Sequence, residues 1–232
     1  MAARPALLCL LLVGAATGFG PLTAPRRSRT RLHEGAFEFL GDEVVLAGWK
    51  THVKRSVRLP TGVVVPFDVT LAKHDAVLVV PFDTSTQCFT LIDEIHPGLG
   101  EVRPGVVAGL IEPHKHSGPQ DAAAAELEEE ARLAGGTFYP LIDGDGGAFP
   151  ASKYADQLFH PFLVVDPAPV EASGALPQDM EESIEARPGI SVAELRRLIR
   201  SGRLNVLAVS SLLLALDKLA ELGALSSAED GG

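Results

Sequence analysis

Cysteine is nearly absent from this chain: 232 residues contain two, Cys9 and Cys88. Cys9 falls in a segment that reads below as a removable leader, so the mature fold needs neither a disulfide nor an oxidising compartment. No nucleophile motif surrounds Cys88, which reads as a structural residue of a strand. Aromatic bulk is also scarce, with one Trp, two Tyr and ten Phe, so the core must be packed from Val, Leu and Ala. Positive charge is in deficit, 20 Lys and Arg against 30 Asp and Glu, a net −10 that argues against nucleic acid or an anionic membrane as partner. No transmembrane helix and no internal repeat is visible in the sequence. What the chain does have is 46% apolar residues, enough for one sizeable core.

The first 33 residues read as an address. Arg4 precedes an apolar run at 6–14, and Ala15-Ala16-Thr17-Gly18 supplies the small residues of a signal-peptide cleavage site. The segment 19–31 carries Arg26, Arg27, Arg29 and Arg31 with hydroxyl residues and no acid, the composition of an organelle transit peptide. A signal peptide followed at once by Phe19 and such a segment resembles the bipartite leader of nucleus-encoded plastid proteins; plain secretion is the alternative. Loss of residues 1–33 removes five Arg and takes the net charge from −10 to −15.

Chemistry concentrates in Glu126-Leu127-Glu128-Glu129-Glu130. Glu126, Glu129 and Glu130 stand at i, i+3 and i+4 of a predicted helix over 119–134 and so project from one face. Like charges at that spacing repel by about a few tenths of a kcal/mol per exposed pair, a cost that a hard cation with oxygen ligands would offset; a solvated acidic face is the plainer reading. Ser117 and Gln120 have capping-box spacing, Pro119 suits the first turn, and Gly135-Gly136 reads as the stop. Upstream, Val106-Val107-Ala108-Gly109-Leu110-Ile111-Glu112-Pro113 reads as a short strand running into a turn.

Strand, glycine turn and Glu-rich helix in this order resemble the Nudix hydrolase signature, G-x5-E-x7-R-E-U-x-E-E-x-G-U. Gly109 matches the first glycine, Glu126 to Glu130 match E-U-x-E-E, and Leu133 matches the closing aliphatic residue. Gly109 and Glu126 are 17 residues apart where the pattern has 15. Lys115 or His116 falls where the loop glutamate belongs, Ala125 replaces the arginine, and Arg132 replaces the second glycine. In that family the loop glutamate and the arginine are thought to pair, so the bracing pair is missing while the metal-holding half remains.

The wider chain resembles the ADP-ribose and ADP-sugar diphosphatase branch of the family, most of all its plant plastid members. The likeness spans about residues 45–223 and rests on a strand pair at 64–69 and 76–80, the phrase Ala108 to Pro113, a late acidic loop at 179–185 and a final helix from Val206. The resemblance implies an α/β (α+β) Nudix fold, a mixed β-sheet sandwiched between helices, with an N-terminal antiparallel strand extension over 34–75, the Nudix domain at 76–223 and a disordered tail at 224–232. It implies Mg²⁺, or Mn²⁺, held by Glu126, Glu129 and Glu130, and Glu182, with Glu181 next, as the carboxylate that activates water. His96 stands where the branch carries a nucleotide-contacting arginine and Gly105 where it carries glutamate; with Gly109, His96 is a candidate substrate contact. His114 and His116 read as phosphate contacts or as solvated residues. The substrate implied is a nucleotide sugar. Members are commonly homodimers that swap N-terminal strands, a role open to the segment before Ala76. A Nudix-fold module that binds a nucleotide without cleaving it, and a hydrolase for another nucleoside diphosphate derivative, are the alternatives.

Apolar periodicity predicts strands near 43–47, 63–71, 76–82, 88–95, 105–111, 137–142 and 158–165, and further helices at 191–201 and 206–222. Ser191 with Glu194 and Asn205 are the expected N-caps, and Leu212, Leu213, Leu216 and Leu219 the inner stripe of the last helix.

Overall fold

The computed structural model describes residues 37–144, 146–170 and 184–226. The leader and the candidate bases Glu181 and Glu182 lie outside these residues. Three antiparallel strands come first: β1 (Glu38–Ala47), β2 (Thr51–Arg58) and β3 (Val64–Leu71), in that order across the sheet. β2 was not expected, because Thr51-His52-Val53-Lys54-Arg55-Ser56-Val57-Arg58 is heavily charged. Its inward residues are Val53, Val57 and the partly buried Arg55, and the last is neutralised across the ladder by both oxygens of Asp42 at 2.8 Å. The same ion pair raises the Arg55 pKa, against an opposing desolvation effect. β1 is exposed along its whole length despite Phe39, Val44, Val45 and Leu46.

The second sheet is built on β4 (Ala76–Asp83), whose Ala-Val-Leu-Val-Val-Pro-Phe run is buried throughout. A strand apolar on both faces needs cover on both, as in a central strand. β4 pairs antiparallel with the end of β5 (Cys88–His96) and with β7 (Val107–Leu110), and β5 pairs with β6 (Glu101–Gly105). Its other edge runs parallel to β11 (Leu158–Val165), with Ala76 opposite Phe159. β9 (Thr137–Pro140) and β10 (Phe149–Pro150) border β11, and β13 (Glu185–Ser191) borders β5. β8 (Leu133–Ala134) and β12 (Ala168–Pro169) form a separate small ladder. The two segments expected as a strand pair, at 64–69 and 76–80, therefore lie in different sheets.

Alternation along β4 divides the core. Val77 and Val79, with Ile92, Val107, Phe162 and Val164, face α1 (Pro119–Ala131) through Ala122, Ala123, Leu127 and Ala131. Leu78, Val80 and Phe82, with Phe89, Leu91 and Leu163, face α2 (Val192–Arg200) and α3 (Val206–Glu221). The result is the expected mixed sheet between helices, with the antiparallel extension before it. The caps of the last two helices form as expected: Ser191 Oγ accepts from Glu194 N–H at 3.2 Å, and Asn205 Oδ1 from Ala208 N–H at 2.8 Å. Leu212 and Leu219 are fully buried, but Leu213 is exposed and Ala215 takes its place in the inner stripe. At the far end Gln87 holds Ala224 and Ser226 through both ends of its amide, so the chain is anchored into the segment expected as a tail. No helix among the described residues is long and apolar enough to cross a membrane.

Candidate active site

α1 starts as its proline requires, but its cap differs from expectation. Gly118 is the N-cap and makes no side-chain bond; Asp121 at N3 instead accepts from the Ser117 backbone N–H at 2.9 Å. The helix stops at Arg132, before Gly135-Gly136 is reached; Arg132 stands where the resembled signature has its second glycine and takes the left-handed conformation (φ 57°). The small inner residues Ala122 and Ala123 are fully buried, which lets the helix lie close on β4 and β7.

That close approach brings two of the three helix carboxylates onto β7. Glu130 is buried, 5% exposed, and its Oε2 accepts from the Ala108 backbone N–H at 3.0 Å. The carboxylate of Glu126 lies over Gly109: a Cβ there would fall 1.8 Å from Oε1, 1.9 Å from Cδ and 2.5 Å from Cγ. Gly109 is not in the left-handed region, so room for Glu126, rather than backbone freedom, is what glycine supplies. Glu129 is half-buried on the same helix. Among the described residues no three His, Cys, Asp or Glu side chains stand close enough together to hold a metal ion. The donor chemistry nevertheless fits a hard divalent cation, three carboxylates on one helix with one cradled against a glycine strand.

The lengthened loop is organised by Glu112. Its carboxylate pairs with Lys115, His114 Nε2 stands 3.9 Å from it, and its backbone N–H donates to His116 Nδ1 at 3.2 Å. His116 is thereby held by the main chain, whereas His114 remains mostly exposed. The Lys115 ammonium holds the Glu112 carboxyl below its ordinary range. Glu112 in turn raises the Lys115 pKa, and attraction to Glu129 and Glu126 adds to the rise. The loop thus carries a cation within the field of the helix carboxylates, where the resembled signature has a loop glutamate and a helix arginine.

His96 sits at the end of β5, its Nε2 3.3 Å from Glu94 Oε1. Sequence reasoning did not single out Glu94. It also missed a cavity of about 200 Å³ lined by Trp49, Lys50, Lys73, His74, Glu112 and Gln157 among others, beside the end of β7. One signal for it was available: Trp49, the single tryptophan, lies between Gly48 and Lys50 and is 79% exposed, unusual for so large an apolar ring. Cys88 is partly buried and donates to Thr86 O at 3.3 Å, in keeping with a structural residue.

No family model matches the sequence, and no curated protein matches it. Among solved structures, one described as the crystal structure of an ADP compounds hydrolase superposes with a TM-score of 0.66. The match has 21% identity over 82% of this chain and 97% of that one. The fold is Nudix-like. At that identity the likeness speaks for the architecture, and the chemistry must be argued from the side chains.

Proposed function

We propose that this protein is a Mg²⁺-dependent hydrolase of the diphosphate bond of a nucleoside diphosphate sugar, ADP-ribose or ADP-glucose, releasing AMP and a sugar phosphate. The observation that carries the reading is the seat of Glu126 over Gly109 beside the buried Glu130, a carboxylate pair fitted to one strand. Glu126, Glu129 and Glu130 would hold the ion, Mg²⁺ or Mn²⁺, which offsets phosphate charge and acidifies water. The chain itself supplies the rest of the binding. Lys50 and Lys73 line a cavity next to the site, beside His74, and give an acidic protein local cations for a diphosphate, and Trp49 offers an apolar face for a base. Lys115, paired with Glu112 and attracted by the helix carboxylates, would exchange its carboxylate partner for a phosphate oxygen. Glu182, with Glu181 as alternative, is the proposed base, and His96 a proposed substrate contact. We further propose delivery to the plastid by the leader, secretion being the alternative, and a homodimer formed through the exposed apolar β1.

A second reading, a nucleotide-binding module without turnover, is favoured by the ungathered carboxylates and the replaced loop glutamate and helix arginine. The deciding experiment is AMP release from ADP-ribose and ADP-glucose by protein lacking residues 1–33, with and without Mg²⁺, beside Glu129→Gln. Metal-dependent release lost in the variant supports hydrolysis; binding without release selects the module; neither one rejects both.

A further inference from the structure

Two glycines on the α1 side of the main sheet are covered by carboxylates, and only one of those carboxylates belongs to the helix. β5 alternates its faces: Phe89 and Leu91 turn to the α2 and α3 core, Ile92 to the α1 core. Glu94 and His96, two and four residues beyond Ile92, share its side of the pleat. In the β5–β6 ladder Ile92 faces Gly105 and Glu94 faces Arg103. Arg103 turns away, pairing with Glu101 and donating to the carbonyls of Gly202 and Arg203. Glu94 instead bends back over Gly105, where a Cβ would lie 2.6 Å from its Oε1. Like Gly109, Gly105 lacks a left-handed φ, so space for the carboxylate is again what glycine supplies. Among the described glycines these are the two that a glutamate covers within 3.0 Å.

Glu94 Oε1 meets His96 Nε2 at 3.3 Å, with the histidine side chain 17% exposed and the glutamate 30%. A carboxylate at that nitrogen requires its proton there and turns Nδ1, in the neutral ring, into an acceptor. An arginine at this place could only donate. We propose that Glu94 is a positioning residue of the substrate site, seated by Gly105 so that it fixes the His96 ring to accept a hydrogen bond from a hydroxyl or amino group of the nucleotide sugar. The proposal rests on the functional reading above, with His96 as the substrate contact.

Two measurements test it. In the substrate-free protein, the ¹⁵N shifts of His96 are expected to report the Nε2–H tautomer, and Glu94→Gln and Gly105→Ala are expected to mix the tautomers. In ADP-ribose turnover, both variants are expected to raise KM about tenfold, the effect of losing one oriented polar contact, while kcat stays within about twofold. His96→Gln should match them, and Glu94→Gln/His96→Gln should be no worse than His96→Gln alone, because the two act as one unit. Unchanged tautomers, an unchanged KM in folded Glu94→Gln, or additive losses in the double variant overturn the proposal. Wild-type protein that neither binds nor cleaves ADP-ribose overturns the functional reading first, and the substrate role of Glu94 with it.

Discussion

Replacing Gly109 by alanine should disable the site through one collision. The new Cβ would sit 1.8, 1.9 and 2.5 Å from Oε1, Cδ and Cγ of Glu126, so moving the carboxylate alone does not relieve it; the side chain must swing away from its Cγ outward. Gly109 has no left-handed φ, and alanine pairs in a strand as well as glycine does, so the backbone adds no strain of its own. Overpacking of this kind costs about 1–3 kcal/mol. With a urea slope of about 2 kcal/mol per molar, the midpoint should fall by roughly 0.5–1.5 M. The decisive variant is Gly109→Ala/Glu126→Ala. If the clash is the cause, removing the glutamate restores most of the lost stability but none of the metal-dependent turnover, and the two substitutions couple strongly. Gly98→Ala, where nothing lies within 4 Å of the new methyl, serves as control and should be near neutral. Additive losses, or a Gly109→Ala protein as stable and active as the parent, would refute the reasoning from the cradle.

Other consequences can be measured in the same way. Glu130→Ala removes the acceptor of the Ala108 N–H and should cost about 1–3 kcal/mol in urea denaturation, while Glu129→Ala, less buried, should cost under about 0.5. Asn205→Ala removes the N-cap of α3 and should cost about 1 kcal/mol by the same assay. The Glu112 pKa is lowered from 4.5, so its contribution is present above that value and is lost as pH falls through the lowered one. The Lys115 pKa is raised from 10.5, so its contribution is present below 10.5 and is lost as pH rises through the raised one. The difference in urea midpoint between parent and Glu112→Gln should therefore shrink as pH falls below 4.5 and as it rises above 10.5. Mg²⁺ at about a hundred times its dissociation constant should stabilise the parent by about 2.7 kcal/mol in calorimetry, and Glu129→Gln should abolish the gain.

The legible parts of the structure were those dictated by local periodicity and capping. β4 announces itself as an unbroken apolar run, α1 begins at Pro119, and Ser191 and Asn205 cap the helices they precede. β2 stayed hidden because the charge of Arg55 finds its partner, Asp42, only across the ladder. β13 stayed hidden because Pro188-Gly189 reads as a turn, whereas the chain absorbs it as an irregularity between Arg187 and Ile190. The helix end was misplaced because Arg132 adopts a backbone state normally left to glycine. The three glutamates could be read from spacing. Their environment could not, since the seat of Glu126 on Gly109, like that of Glu94 on Gly105, depends on how strands and helix dock.

The parallel pairing of β4 with β11 bears on how the molecule is made. During synthesis β7 and β5 can reach β4 soon after it emerges, but its remaining edge waits for the segment that ends at Val165. Non-local pairing is slow, because the loop must close before any contact rewards it. Through that interval a strand buried along nearly its whole length in the finished fold carries an open, apolar edge, the kind of surface on which chains aggregate. A fragment ending before Leu158 is thus a poor folding unit, because it leaves that edge open to neighbouring chains.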